Sequence, residues 1–380
     1  MRRRLALVLL VVTIAILWRP LLRPVGAGAI LVADIYSSAL WDRNVAAYVT
    51  PPPRIEDGTE RIGAQDMRVT WWIPGWGSLH PAVMLVNGAT EKGNDDPETR
   101  RLGEALARAG YMVMLPEFPF IKAGKLERDA TSVLDAAFAR ATARPETKGM
   151  AVGAFGFSVG GGMLLAAASR PGALADASYI GALGAYFDLD TYLASVLSLT
   201  QRRLAGTLEP WDADAEVRLR LPVAAAEALA DASDRERITA ELRASGGRLS
   251  GEPPSGLGAE GAALWRALTA TDYDIALERL HLLPPSLREV FDSLSPRTMW
   301  SSLRPAVFWL HDVGDRFEPV SEAETASVTP HAGPTRFQRT ALLSHAAALG
   351  GGAKEKGLDF WAPELSGLLL FAASALGAGE

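Results

Sequence analysis

The sequence predicts an α/β protein with a mostly parallel central sheet, helices on both faces of the sheet, and an inserted helical region. From about residue 67, short apolar runs alternate with helical patterns, which is the rhythm of parallel strands connected by helices. The rhythm stops between about 190 and 300, where Ala, Leu, Arg, Asp and Glu recur with helical periodicity. Two further strand patterns follow residue 300.

The predicted strands are short apolar segments bounded by turn residues. The run 111–118 is apolar at almost every position, as expected of a strand covered on both faces. The helix predicted at 97–110 begins with Pro97 and ends at Gly110, which are typical first and last residues of a helix. The predicted strands are 67–75, 81–88, 111–118, 150–158, 177–187, 304–312 and 335–343, and the helices between and after them are 97–110, 125–145, 159–169 and 363–377.

These patterns predict a core domain interrupted by a helical cap. The stretch before residue 67 is weakly patterned and contains Pro51-Pro52-Pro53, so we interpret it as a connector. The predicted organisation is an N-terminal anchor or signal segment at 1–24, a connector at 25–66, core at 67–189, a cap at 190–300 and core again at 301–380.

The N-terminus has the features of a targeting segment. Three arginines at positions 2–4 precede an apolar run from Leu5 to Trp18. A helix of that length covers only ~21 Å of a ~30 Å hydrocarbon core, so spanning requires the longer segment 5–22. The arrangement favours an uncleaved membrane anchor with the following domain outside the cytoplasm. Secretion after cleavage near residues 27–29 and a buried core helix are the alternatives.

Composition restricts the function. A formal net charge of −6 predicts no nucleic-acid partner. The sequence has no cysteine, which excludes disulfides, thiol nucleophiles and thiolate metal sites. No two of the five histidines have metal-ligand spacing, so we expect no zinc site.

One motif carries the chemistry. The segment Gly156-Phe157-Ser158-Val159-Gly160 matches G-x-S-x-G, follows a predicted strand and precedes a small-residue helix. This is the sequence context of a nucleophile elbow, in which a sharp strand-to-helix turn raises the serine hydroxyl into a cleft. Glycines on both sides are needed because side chains there would collide. The motif therefore predicts Ser158 as a nucleophile.

A serine nucleophile needs a base that is oriented by an acid. In proteins with this elbow, the order along the chain is Ser, then Asp or Glu, then His. Asp315 follows the strand predicted at 304–312, and His345 follows the last predicted strand. We therefore predict Asp315 as the acid and His345 as the base. Residues that compete for these roles are Asp312, Asp188, Asp190, His311 and His331.

The oxyanion formed during acyl transfer requires backbone N–H donors, one of them directly after the nucleophile and one in an earlier loop. The first is the N–H group of Val159. For the second we predict Ala89, since Asn87-Gly88-Ala89 ends the strand predicted at 81–88. An ordinary Asn-Gly turn is the alternative explanation of this segment.

Together these segments resemble the α/β-hydrolase superfamily, and within it the dienelactone hydrolase-like and acyl-peptidase-like serine esterases. The matching segments are VMLVNGA at 83–89, GFSVGG at 156–161, LHDVGDRFEP at 310–319 and SH at 344–345. Two residues depart from the pattern: Asn87 stands where many members have His, and Ser158 stands where dienelactone hydrolases proper have Cys.

The resemblance implies two-step acyl transfer through an acyl-enzyme on Ser158, a reaction that requires no metal or organic cofactor. It favours a carboxylic ester hydrolase acting on a small-molecule or lipid-like acyl substrate. Alternatives are a thioesterase, a peptidase or a lipid acyl hydrolase. An alternative of another class is a non-catalytic, membrane-tethered binding protein on a hydrolase scaffold. The oligomeric state stays open.

Overall fold

The computed structural model describes residues 23–41, 44–343, 345 and 355–378. Eight strands form the central sheet, and two short strands pair separately. The strands are β1 (Arg54–Ile62), β2 (Gln65–Ile73), β3 (Ala82–Val86), β4 (Met112–Pro116), β5 (Val152–Phe157), β6 (Tyr179–Leu183), β7 (Thr200–Arg202), β8 (Leu208–Pro210), β9 (Ala306–Asp312) and β10 (Thr335–Thr340).

The central sheet has the order β1-β2-β4-β3-β5-β6-β9-β10. The strands from β4 to β10 in this order are all parallel. Near one edge of the sheet, β2 is antiparallel to both of its neighbours, β1 and β4. Because parallel strands end at the same edge of a sheet, the loops after β3, β5, β6 and β9 lie close together. The predicted mostly parallel sheet with surrounding helices is confirmed.

Helices cover both faces of this sheet. The helices are α1 (Arg23–Trp41), α2 (Pro97–Arg108), α3 (Pro119–Lys122), α4 (Ala130–Thr142), α5 (Ser158–Ala168), α6 (Leu189–Ser198), α7 (Ala215–Glu227), α8 (Ala232–Ala244), α9 (Ala259–Leu268), α10 (Tyr273–His281), α11 (Pro285–Leu294), α12 (Val320–Val328) and α13 (Leu358–Gly377).

Alternate side chains of each strand point to opposite faces and form two apolar cores. On one face, Met84 and Ile180 pack in the core that includes α4 and α5. On the other face, Leu85 and Leu183 pack in the core that includes α1, α2 and α13. The sheet is therefore buried on both sides, which explains the continuous apolar runs of its central strands.

Between β6 and β9 the chain forms the helices α6 to α11 and the β7–β8 pair. Several of these helices begin at an aspartate whose side chain accepts backbone N–H groups of the first turn, and such capping stabilises a helix start. The capping aspartates are Asp188, Asp214, Asp231 and Asp272. The boundaries 190–300 for a separate cap stay a prediction.

The interpretation of 25–66 as a plain connector is wrong, because this stretch contains most of α1 and all of β1. β1 is an edge strand with mostly exposed side chains, so it lacks the apolar alternation that marks a half-buried strand. In α1, Gly28 lies close to α13, and a Cβ atom at Gly28 would stand 3.0 Å from the backbone nitrogen of Ala373. The residues considered for cleavage, 27–29, lie within α1.

Several predicted boundaries shift. The strand predicted at 177–187 covers only Tyr179–Leu183, since Gly184 adopts a positive φ of 53° and ends it. The helix predicted at 125–145 begins at Ala130. The last helix begins at Leu358 rather than 363 and contains Pro363.

Among the described residues, one helix, α13, is long and apolar enough to cross a membrane. Only 28% of its apolar 18-residue stretch is buried. The buried side of the helix packs against α1, and its Phe371 ring contacts Phe308 of the sheet. This helix lies near the C-terminus, whereas the predicted anchor is at the N-terminus. That anchor, residues 5–22, lies outside the described residues.

Candidate active site

Ser158 occupies a sharp turn between β5 and α5. Its φ of 53° lies in the left-handed region, where a residue with a side chain is strained. It is the first residue of α5, so its hydroxyl lies at the positive end of the helix dipole. This geometry matches the nucleophile elbow expected from the motif.

The glycines around Ser158 permit close backbone contacts. A Cβ atom at Gly156 would lie 2.6 Å from the Cα atom of Gly161, and one at Gly160 would lie 2.0 Å from the carbonyl oxygen of Asn87. A Cβ atom at Gly88 would lie 2.9 Å from the Cβ atom of Ser158. The loop after β3 therefore lies directly beside the nucleophile.

Asp315 and His345 form a hydrogen-bonded pair at the same edge of the sheet. The Nδ1 atom of His345 lies 2.8 Å from Oδ2 of Asp315. The His345 ring stacks on Phe317, with ring centroids 4.8 Å apart. Gly184, which follows β6, makes room for the pair, because a Cβ atom there would lie 2.9 Å from Oδ2 of Asp315. The pair holds the imidazole in one orientation.

The loop after β9 holds the Asp315 carboxylate in place. Its Oδ1 atom accepts the backbone N–H groups of Phe317 and Glu318, at 2.8 and 3.1 Å. The indole N–H of Trp211 donates to the Asp315 carbonyl oxygen at 2.7 Å. Asp315 is almost completely buried, so its geometry is independent of solvent.

Glu318 is the residue that sequence reasoning missed. The Ser158 hydroxyl donates to Oε1 of Glu318 at 2.6 Å, and the other carboxylate oxygen lies 3.2 Å from Nδ1 of His345. Glu318 is 1% exposed. The one available signal was a glutamate three residues after the predicted acid, in the otherwise matched run 310–319. In this arrangement Glu318 joins Ser158 to the pair of His345 and Asp315.

These buried groups alter one another's protonation. Burial alone would lower the pKa of His345, but the carboxylates of Glu318 and Asp315 outweigh it and raise this pKa to about 9. Burial raises the pKa of Glu318 well above its ordinary value, against the opposing charge of His345. Burial would also raise the pKa of Asp315, but the charge and hydrogen bond of His345 bring it below its ordinary value. The three groups therefore titrate together.

The residues predicted for the oxyanion hole, Val159 and Ala89, line the same cavity as Ser158. The loop that contains Ala89 is held by the Asn87 side chain, which donates to the Gly93 carbonyl oxygen at 3.0 Å and accepts from the Thr99 hydroxyl at 2.7 Å. Asn87 thus has a structural contact at the position where many relatives have His.

The competing residues have partners of their own, although the His345 backbone also hydrogen-bonds Asp312 and Nε2 of His311 lies 3.7 Å from Oδ2 of Asp315. Asp312 accepts the Gly314 N–H, Asp188 caps α6, and Asp190 pairs with Arg288 at 2.8 Å. His311 is fully buried in β9, with Nε2 3.0 Å from the Glu318 carbonyl oxygen. His331 contacts the Trp300 ring. The geometry favours Asp315 and His345 over these residues.

Among the described residues, one group has the composition of a metal site, namely Asp315, Glu318 and His345, whose ligand atoms lie within 4.8 Å of one another. The imidazole Nδ1 atom faces both carboxylates at 2.8 and 3.2 Å, which are hydrogen-bonding distances. The contact with Asp315 is a hydrogen bond, and the contact with Glu318 is an ion pair.

A cavity of about 480 Å³ adjoins Ser158, within the size range of small-molecule sites. Ser158, Glu318 and His345 stand in its wall, and Val217, Arg220 and Leu221 of α7 line it as well. Arg220 also donates to the carbonyl oxygen of Ala89 at 3.0 Å. Ser158 is thus accessible from a largely apolar space.

The sheet order, the elbow and the loops around it define an α/β-hydrolase fold. No protein-family model matches this sequence, and no curated protein matches it by sequence. Among solved structures, the acylaminoacyl peptidase of Pyrococcus horikoshii is similar with a TM-score of 0.50 at 10% identity, over 88% of this chain and 43% of that one. This chain therefore spans less than half of that protein's length.

Two other solved structures are similar at lower TM-scores. A dienelactone hydrolase from Anabaena variabilis has a TM-score of 0.43 at 14% identity, with 86% of this chain and 97% of that one covered. A 2,6-dihydroxy-pseudo-oxynicotine hydrolase has a TM-score of 0.47 at 17% identity, with 93% and 82% covered.

Proposed function

We propose that this protein is a serine hydrolase that cleaves carboxylic esters through an acyl-enzyme on Ser158. The observation that carries the proposal is the buried Glu318 carboxylate, which accepts the Ser158 hydroxyl at 2.6 Å and forms an ion pair at 3.2 Å with the His345 ring, itself hydrogen-bonded to Asp315. A serine hydroxyl is a weak nucleophile, and this grouping brings a base, His345, and an acid, Asp315, close to it.

In the proposed reaction, the Ser158 hydroxyl turns from Glu318 to Nε2 of His345, whose Nδ1 is held by Asp315. His345 takes the proton as Ser158 attacks the ester carbonyl carbon. The backbone N–H groups of Val159 and Ala89 stabilise the oxyanion. The alcohol then leaves with the proton from His345, and water, activated by the same imidazole, hydrolyses the acyl-enzyme to a carboxylic acid.

An apolar acyl group suits the cavity beside Ser158. We further propose that residues 190–300 act as a cap over this cavity, a role supported by Val217 and Leu221 of α7 in its wall.

A fluorophosphonate probe tests the proposal directly. We expect covalent labelling of the unaltered protein, none of Ser158→Ala, and full labelling of the matched control Ser366→Ala, whose serine lies on the exposed side of α13. Likewise, the unaltered protein and Ser366→Ala should hydrolyse p-nitrophenyl acetate, and Ser158→Ala should not. Labelling that persists in Ser158→Ala would place the reactive residue elsewhere.

We also propose that residues 5–22 hold the protein at a membrane, with the catalytic domain outside the cytoplasm. The arginines at positions 2–4 and the apolar run support this. Replacing both Ile14 and Ile16 by aspartate should release the protein from membranes washed with alkaline carbonate. Leu370→Asp, on the exposed face of α13, should not. The opposite result would assign anchorage to α13.

A further inference from the structure

The cavity beside Ser158 extends away from the catalytic edge, between the second face of the sheet and the helices α1 and α13. Leu85, Phe157 and Leu183 line it from the sheet, while Leu31 and Phe371 line it from the two helices. All these side chains are apolar. Protein interiors are normally close-packed, with few voids larger than a water molecule, so an apolar space of this size that reaches a nucleophile suits an apolar occupant.

We infer that this channel binds an unbranched, medium-chain acyl group whose carbonyl group lies at Ser158, so that the substrate is a medium-chain ester. The inference rests on the proposed ester hydrolysis and specifies its substrate class. Continuity with Ser158 selects the acyl chain as the occupant, because the polar end of such a chain must lie where Glu318 and His345 lie, and its apolar end where the lining is apolar.

The dimensions of the sheet give the length of the chain. Along β6, the cavity is lined at both Leu183, near the catalytic edge, and Tyr179, at the start of the strand. These residues are four positions apart, which corresponds to ~13 Å at ~3.3 Å per residue. An extended chain advances ~3.6 Å for every three bonds, so the same distance accommodates roughly ten carbon atoms.

Small residues of α13 keep the channel open. Ala372 and Ala375 line it, whereas Ala373, between them, faces α1 at Gly28. Larger side chains at 372 or 375 would project into the space that the acyl chain needs. The width of the channel is thus set by residues that contact neither Ser158 nor His345.

A series of p-nitrophenyl esters from acetate to hexadecanoate tests the inference. We expect kcat/KM to rise with chain length, by up to about fourfold per methylene, and to level off near the decanoate. In Ala372→Phe and Ala375→Phe, the ratio of kcat/KM for decanoate to that for acetate should fall at least tenfold. Ala362→Phe, at an exposed position of the same helix, should leave the ratio unchanged.

A binding measurement separates this inference from the proposed function. Ser158→Ala should bind a fluorescent fatty-acid analogue that decanoate displaces, and the double variant Ser158→Ala/Ala372→Phe should bind it at least tenfold more weakly. A flat chain-length profile in a protein that hydrolyses acetate through Ser158 would overturn the channel and leave the hydrolase intact. If no ester is hydrolysed, the binding measurement still tests the channel. Binding that decanoate displaces and that Ala372→Phe weakens would support the channel, whereas a lack of such binding would overturn it.

Discussion

Replacing Glu318 by glutamine should shift the pH dependence of catalysis to lower pH. His345 acts as a base only when its imidazole is neutral. The rise of its pKa from 6.5 to about 9 corresponds to about 3 kcal/mol at 1.36 kcal/mol per pKa unit. This free energy stabilises the charged imidazolium and comes from both Glu318 and Asp315. Glu318 lies 3.2 Å from Nδ1, so we expect its replacement to remove at least about 1.4 kcal/mol of the stabilisation, while the contribution of Asp315 remains.

The sign follows from the protonation state that catalysis needs. A raised pKa places the acidic limb of kcat/KM in the unaltered protein above pH 6.5, and activity is lost as the pH falls through that limb. In Glu318→Gln the limb should move down by one pH unit or more, so that activity at pH 7 rises by about tenfold or more, while activity on the alkaline plateau changes little.

The assay is kcat/KM for a short ester between pH 5 and 10, with folding checked by circular dichroism. The matched control is Glu322→Gln, which removes another buried carboxylate. Glu322 accepts the backbone N–H groups of Phe187 and Asp188, so the limb should stay in place. An unshifted or raised limb in folded Glu318→Gln would refute the assigned effect of Glu318 on His345.

Three further substitutions test the site and its scaffold. Asp315→Asn should lower kcat by about a thousandfold or more, because the amide stabilises the wrong imidazole tautomer. The melting temperature should change little. A near-normal kcat would show that Asp315 has no part in the mechanism. Gly184→Ala should abolish most activity, because the new Cβ atom would stand 2.9 Å from Oδ2 of Asp315. The control Gly206→Ala is also at a positive φ, but its Cβ atom would have no neighbouring atom within 4 Å, so this variant should retain activity. Gly160→Ala should lower the free energy of unfolding by about 1–3 kcal/mol, because the new Cβ atom would overlap the carbonyl oxygen of Asn87. Urea denaturation measures this change, and unchanged stability would contradict the close contact.

Features that depend on neighbouring residues were predictable from the sequence. The elbow at Ser158 requires glycines within two residues of the nucleophile, so a short motif marks it. The central strands are buried on both faces, and their apolar runs between turn residues mark them as strands. The proximity of Asp315 and His345 could be expected because each follows a strand that ends at the same edge of the sheet.

Features that depend on distant contacts were not predictable. Glu318 approaches Ser158 only because the loop after β9 folds around the Asp315 carboxylate, and no local pattern distinguishes it from Glu322. The edge strand β1 has few buried side chains, so it lacks an apolar alternation. The channel beside α13 is lined by the same apolar residue types that fill a packed core, so composition alone cannot indicate an open space there.

The position of the acyl group during turnover tests the central claim most directly. A p-nitrophenyl ester is mixed with the protein, the reaction is quenched in acid within the first turnovers, and the peptides are analysed by mass spectrometry. We predict the mass of the acyl group on the peptide that contains Ser158, and no such adduct in Ser158→Ala. An acyl group on another residue, or turnover by Ser158→Ala at the rate of the unaltered protein, would contradict the account.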